Sequence, residues 1–354
     1  MIARPGRDGL VLIGIVVMLS TGLVGLTVSA RAQALARPRI IILTTGGTIA
    51  SRLGASMQDG SSLVAAVPQL NEHAAVSVEE VSRVGSSQIT PAHWLTLAGR
   101  VNQRFAADPG LRGIVITHGT DTLEDTAYFL NLTVRDRRPV VLTGSMRSAN
   151  EISADGPANL LNAVRVAVSD EAVGKGVLVA LNEHIAAARD VWKTDNRRVE
   201  TFRSPELGFL GFVDPDGVTF YRAPLRAHTT ASEFDVSRTD RLPEVAMLYD
   251  YPGFNPALMD GVLTSKPAGV VFAAFAGGRL SPGGRAAVQR AVDASVAAVV
   301  ASHVPGGRIV GDPTEGLGAV LARDLSPNKA RVLLMLALTR TKDRQGLQRA
   351  FDTY

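Results

Sequence analysis

Short apolar runs that end in turns of Thr and Gly, each followed by residues at helical spacing, constrain this chain more than any other feature. Ile40 to Leu43, Gly113 to Ile116, Val140 to Leu142 and Val177 to Leu181 are continuous rather than alternating in hydrophobicity, the pattern of strands buried on both faces of a parallel sheet. Helical signals fill the intervals. Thr122-x-x-Asp125 has capping-box spacing ahead of Leu123, Ala127, Leu130 and Val134, and Pro157 stands at a first-turn position before Leu161, Val164 and Val168. The alternation predicts a βαβ series. From Arg222 to Glu244 the rhythm breaks into Thr, Ser, Asp and Arg with no sustained apolar period, as an interdomain linker does. Further strands are expected over Val245 to Leu248, Val270 to Phe275 and Ala297 to Ala301, and a last helix after Ser326-Pro327 with Ala330, Leu333, Leu334 and Ala337. The expected fold is therefore α/β, with a large N-terminal parallel-sheet domain over 35–225, a linker over 226–244 and a smaller C-terminal α/β domain over 245–354.

The segment ahead of the first strand is of another kind. Between Asp8 and Arg31 lie 22 uncharged residues, densest in apolar side chains from Leu10 to Leu19, with Arg4 and Arg7 before them and Ala32-Gln33-Ala34 after. This is the outline of a signal peptide over 1–34, cleaved after Ala34, and it places the body of the protein in the periplasm or outside the cell. An uncleaved anchor is the alternative, since the stretch is nearly long enough to span a bilayer. Losing Arg4, Arg7, Arg31 and Asp8 removes three cations and one anion, so a formal charge of +4 becomes +2. The short basic runs Arg135 to Arg138 and Arg197 to Arg198 are mixed with acids and lack interleaved aromatics, which argues against a nucleic-acid partner. With no cysteine in the chain, disulfides, thiol nucleophiles and Cys-ligated metals are excluded. No motif calls for a metal or an organic cofactor.

Ligands of open parallel sheets bind beyond the carboxyl ends of the strands, so the turns there are the candidates for chemistry. Three share a composition: Thr44-Thr45-Gly46-Gly47-Thr48, Thr117-His118-Gly119-Thr120-Asp121-Thr122 and Thr143-Gly144-Ser145-Met146-Arg147. Glycine-rich backbone near a helix start makes an anion cradle or an oxyanion hole. Neither nucleotide fingerprint is present, which leaves a sugar- or amino-acid-binding protein or a hydrolase. No G-x-S-x-G or H-E-x-x-H occurs; Ser326-x-x-Lys329 has a β-lactamase-like spacing, but it stands at a helix start and three residues recur by chance. His118 is a candidate base, though a lone turn histidine is more often a structural hydrogen-bonder. Thr48 remains as a nucleophile, with Thr120 and a lysine as activators, because a threonine hydroxyl attacks only when a neighbour takes its proton. Each threonine alone also fits a cap or turn residue.

Thr45-Gly46-Gly47-Thr48-Ile49-Ala50 and the stretch from Gly113 to Leu130 resemble the two signatures of the bacterial L-asparaginase family. Segments 140–147, 153–157, 189–194 and 329–334 resemble further family segments, so the likeness covers essentially all of 38–354, and the export signal makes it similar to the type II branch. The resemblance implies a homotetramer with sites between paired subunits. It also implies hydrolysis of a small amide, L-asparagine and often L-glutamine. Thr48 falls on the nucleophile that forms an acyl-enzyme. Thr120, Lys193 and Asp121 fall on a second catalytic cluster, in which Asp121 also grips the substrate α-amino group, while Ser86 falls on the α-carboxylate site and Gly47 and Gly119 belong to the glycine-rich backbone that borders the substrate. There are departures. The segment from Ser51 to Ala66 is shorter than the family's mobile lid and has no Tyr, Ser87 stands where Gln or Glu is usual, and Arg279 stands where a neighbouring subunit usually supplies Asn. A different amide, or a periplasmic binding protein without turnover, are the alternatives to asparagine hydrolysis. A related amidotransferase that works with tRNA is disfavoured by the export signal.

Overall fold

A larger mixed sheet and a smaller parallel one organise the residues that the computed structural model describes, which are 37–354 apart from Leu53 and Ala55. The expected signal segment over 1–34 lies outside the described residues. In chain order the strands are β1 (Arg39–Gly46), β2 (Ala75–Val84), β3 (Leu111–Thr117), β4 (Val140–Thr143), β5 (Val177–Leu181), β6 (His184–Ala187), β7 (Trp192–Lys193), β8 (Phe202–Arg203), β9 (Gly211–Asp214), β10 (Gly217–Phe220), β11 (Val245–Tyr249), β12 (Gly269–Ala274), β13 (Ala297–Ser302) and β14 (Val320–Leu321). The helices are α1 (Gly60–Ala65), α2 (Leu70–His73), α3 (Pro91–Ala107), α4 (Leu123–Thr133), α5 (Gly156–Val168), α6 (Ala257–Thr264), α7 (Pro282–Asp293), α8 (Pro327–Ala337) and α9 (Arg344–Thr353).

The first sheet runs β10-β9-β6-β5-β4-β3-β1-β2. Strands β1, β3, β4 and β5 are parallel, as their unbroken apolar runs predict; β2, whose mixed polar sequence gives no such run, joins them parallel at the edge, and β6, β9 and β10 extend the sheet antiparallel. That extension was not expected, because four-residue strands offer no period to read. The second sheet runs β11-β12-β13-β14 and is parallel throughout.

Burial follows the pleat. Ile40 and Ile42 of β1, with Val115 and Val141, pack against Leu160, Ala163, Val164 and Ala167 of α5 on one face. Leu43, Ile114, Ile116 and Leu142 join Leu123, Ala127 and Leu130 of α4 on the other. The buried stripe of α5 is turned slightly from the expected one, since Leu161 and Val168 are only part-buried. Helix α4 differs more. It is buried nearly all round because α8 of the second unit packs against it, and one hydrophobic core runs from Leu43 through Leu130 to Val271, Leu333 and Ala337. The Thr122–Asp125 capping box is not made; the Thr122 hydroxyl donates to Ser86 O at 2.8 Å instead. The polar stretch 226–244 is pinned as it passes: Ser232 Oγ donates to Leu132 O at 2.6 Å, and Phe234 and Leu242 enter the same core.

Candidate active site

From β1 the chain passes to β2 on one side, and α3 then returns it to β3 on the other. Connections therefore diverge between β1 and β3, which is where an open sheet leaves a crevice at its carboxyl edge. The turn after β1 reaches it by tight backbone geometry. Gly46 has φ +104° and Gly47 φ +84°, a region that side chains resist, and a Cβ on Gly46 would come within 2.5 Å of Val84 O. Gly47 N–H donates to Val84 O at 3.1 Å.

Three turns then touch through their smallest residues. A Cβ on Gly47 would lie 2.3 Å from the Gly119 Cα, and one on Gly119 would lie 2.7 Å from the Ser86 Cβ. A Cβ on Gly144 would lie 2.5 Å from His118 O, so the turn after β4 backs the turn after β3. Thr48 follows Gly47 and opens the 3₁₀ turn Thr48–Ala50; Thr120 follows Gly119 and opens Thr120–Thr122. The two threonines thus flank one backbone contact.

Their surroundings differ. Ile49 and Ala50 are buried and anchor their turn, whereas Thr48 is half-buried and nothing among the described residues hydrogen-bonds to its hydroxyl. Thr120 is buried, and its Oγ1 accepts from Lys193 Nζ at 2.9 Å; the same ammonium donates to Asp121 Oδ1 at 2.7 Å. Lys193 is mostly enclosed, while the Asp121 side chain is 64% exposed and offers its second oxygen outward. Buried Ser86 braces the group, since its Oγ accepts from Asp121 N–H at 3.2 Å. Ser87 belongs to the same 3₁₀ turn, Ser86–Gln88, but is exposed. Thr48, Thr120, Asp121, Lys193, Ser86, Gly47 and Gly119 are thereby assembled at one sheet edge. Arg279 is not among them. It is exposed on the turn after β12 in the second sheet.

His118 is settled by its partners. Trp94 Nε1 donates to Thr126 Oγ1 at 2.9 Å, so that hydroxyl gives its own proton to His118 Nε2 at 3.0 Å and leaves Nδ1–H to donate to Gly119 O at 2.8 Å. Burial pushes its pKa down to about 4, and the neutral ring fixes the carbonyl of Gly119 rather than serving as a base. Ser326 is a helix cap, its Oγ accepting from Lys329 N–H at 3.2 Å, which disposes of the β-lactamase-like reading. A cavity of about 230 Å³ borders the segment that carries Lys193, lined among others by Arg189, Trp192 and Arg308, but none of the assembled residues lines it. The site is an open strand-end cleft.

The family model described as asparaginase, N-terminal, matches residues 39–226, and the glutaminase/asparaginase C-terminal domain matches 244–351. The chain belongs to the asparaginase family. An L-asparaginase 2 of Bacillus subtilis is 43% identical over 90% of this chain and 87% of its own length. A probable periplasmic L-asparaginase of Haemophilus influenzae is 40% identical over 94% and 97%. A crystal structure of a probable cytoplasmic L-asparaginase from Campylobacter jejuni superposes with a TM-score of 0.85 at 43% identity, covering 90% of this chain and all of that one.

Two buried groups near the site have contacts that the sequence pattern does not anticipate: Glu124 is given no role by it, and Lys329 enters only through the Ser326-x-x-Lys329 spacing and a family-like segment. Glu124, in the first turn of α4, accepts from Lys193 N–H at 2.7 Å, and burial holds its carboxyl above the usual range. Lys329, on α8, donates from Nζ to Arg189 O at 2.8 Å and Val191 O at 2.5 Å, and burial brings its pKa down to about 8. One signal was available: Lys329 stands four residues before Leu333 and seven before Leu336, a cation on an otherwise apolar helical face.

Proposed function

We propose that the protein hydrolyses L-asparagine to L-aspartate and ammonia, and L-glutamine as a second substrate, through an acyl-enzyme on Thr48. The observation that carries the reading is the Lys193–Thr120 hydrogen bond, one residue beyond the glycine that Gly47 touches. Lys193 and Thr120 relay the proton that the Thr48 hydroxyl loses as its Oγ bonds to the side-chain amide carbon. Backbone N–H groups of the glycine turns steady the oxyanion. Collapse breaks the C–N bond, the nitrogen leaves as ammonia with a relayed proton, and water then cleaves the Thr48 ester by the reverse route. Asp121 receives the substrate ammonium on its outward oxygen, and Ser86 receives the α-carboxylate. Ser87 and a neighbouring subunit's turn around position 279 complete the amino-group site.

The same reading assigns 1–34 to an export signal, 35–225 to a catalytic domain, 226–244 to a link and 245–354 to a C-terminal domain, in a periplasmic or secreted homotetramer. The family matches on either side of the link and the name of the Haemophilus influenzae relative support it. A cation at position 279 favours a second reading, in which the amide lacks a free α-amine, such as an asparagine side chain within a peptide. Ammonia release by the purified protein tests both. Release from free L-asparagine that disappears in Thr48→Ala supports the first. Release only from the amine-blocked amide supports the second, and tight binding without release would make the protein a binder.

A further inference from the structure

The segment that delivers Lys193 has little structure of its own. Residues 188–190 form a turn, and β7 is two residues long and, among the described residues, pairs only with the equally short β8. A lysine on so short a ribbon would lose its aim with any shift of its backbone. Yet the ribbon is held at alternate positions from two sides. Buried Lys329 binds the carbonyls of Arg189 and Val191, and buried Glu124 binds the N–H of Lys193 itself. Arg189 is further tied to Asp324 at 2.7 Å and to the carbonyl of Tyr354 at 2.6 Å.

The choice of residues at these positions is informative. A buried ammonium is costly, and a charge kept only to fill space is often replaced by an apolar side chain without loss. Lys329 instead spends two donors on carbonyls, and the carboxylates whose charges favour it are Glu124, Asp190 and Asp125, with Arg189 opposing. Glu124 lies four residues beyond Thr120 on the same turn and helix. One rigid unit therefore holds Lys193 twice, by its backbone at Glu124 and by its ammonium at Thr120.

We propose that Lys329 and Glu124 are positioning residues for Lys193: helix α8 and the first turn of α4 clamp the 189–193 backbone so that the Lys193 amine stays on Thr120. The proposal rests on the proton-relay role of Lys193 given above. It is tested by steady-state kinetics on L-asparagine with the full chain, comparing Lys329→Met, Lys193→Met and the double variant. Lys329→Met is expected to lower kcat at least tenfold with KM within threefold, and to cost less than twofold more once Lys193 is already Met. Parental kcat in Lys329→Met, or a loss that multiplies with that of Lys193→Met, would overturn the clamp. Parental activity in Lys193→Met would instead overturn the relay itself. Should Lys329→Met not fold, Glu124 decides. Glu124→Gln keeps an acceptor for the Lys193 N–H and is expected within threefold of the parent, whereas Glu124→Leu falls at least tenfold in kcat; equal losses would refute a positioning role.

Discussion

Both sheets place a glycine pair at the carboxyl end of an interior strand, Gly46-Gly47 at the end of β1 and Gly277-Gly278 beyond β12, and all four residues have positive φ. Around the first pair, added Cβ atoms would meet backbone at 2.3–2.5 Å. Around the second, Gly277 faces open space and Gly278 only the side chains of Ile309 and Pro313, at 3.0 Å and beyond. Local composition does not explain the contrast. Topology does: β1 lies where the connections diverge, so turns from β1, β2 and β3 converge on one crevice, whereas β11 to β14 follow each other in order and leave none. The second unit contributes in a different way, from the inside, through a helix that packs on α4 and grips the ribbon of Lys193.

The largest effect that separates the two pairs is expected for Gly47→Ala. Its Cβ would press on the backbone of Gly119 and His118, and displacing Thr48 from Thr120 by even an ångström can cost about 100-fold in rate. A loss of kcat/KM of that order, with the fold retained by circular dichroism, is predicted. Activity near the parent's would mean that the contact between the turns does not set the geometry.

The next effect concerns the helix the two units share. Asp125 follows Glu124 on α4, and its Oδ1 is enclosed without a partner. Burial, and then the charge of Glu124, raises its pKa from 3.8 to about 7. A carboxyl raised in the folded state stabilises least once ionised: its contribution is intact below pH 3.8 and lost as pH rises through 7. Asp125→Asn escapes that loss. It should be more stable than the parent by about 2 kcal/mol at pH 8, the order expected for an unsatisfied buried polar atom. Melting temperatures should converge as pH falls towards 4. A pH-independent difference would mean that Asp125 is not ionised at the shared interface.

How much of this could be read in advance follows the same division. The parallel strands were legible because burial on both faces leaves continuous apolar runs, and the Thr48 and Thr120 turns because hydroxyls and glycines gather where such strands end. Lys193 was reached only through the family resemblance. It lies 73 residues from Thr120 on a two-residue strand, and no periodicity connects them. The all-round burial of α4 was hidden because its second cover comes from α8, roughly two hundred residues later in the chain. His118 drew attention as a base, and only its hydrogen-bond chain to Trp94 shows it to be neutral scaffolding.

Arg279 probes whether the second strand-end turn reaches chemistry at all. It is exposed on the turn after β12, away from the assembled residues, so under the proposed tetramer its effect on substrate is expected across a subunit contact. A guanidinium facing a substrate ammonium opposes binding, and about 1.4 kcal/mol corresponds to a tenfold change in affinity. Arg279→Asn is therefore expected to lower KM for L-asparagine about tenfold with kcat within twofold. An unchanged KM would confine the chemistry to the first sheet.

The smallest effect completes the contrast. At Gly277, φ is +67° and nothing lies within 4 Å of the added Cβ, so Gly277→Ala meets only the intrinsic cost of a left-handed residue, about 1 kcal/mol. That amounts to a fall of roughly 2 °C in Tm for a protein of this size, with kcat on L-asparagine within threefold. The pair after β12 would then be a matter of turn conformation alone, while the pair after β1 is a matter of contact. A rate loss in Gly277→Ala comparable to that of Gly47→Ala would show that both turns border reacting atoms, and the cleft would have to be redrawn as one shared between subunits.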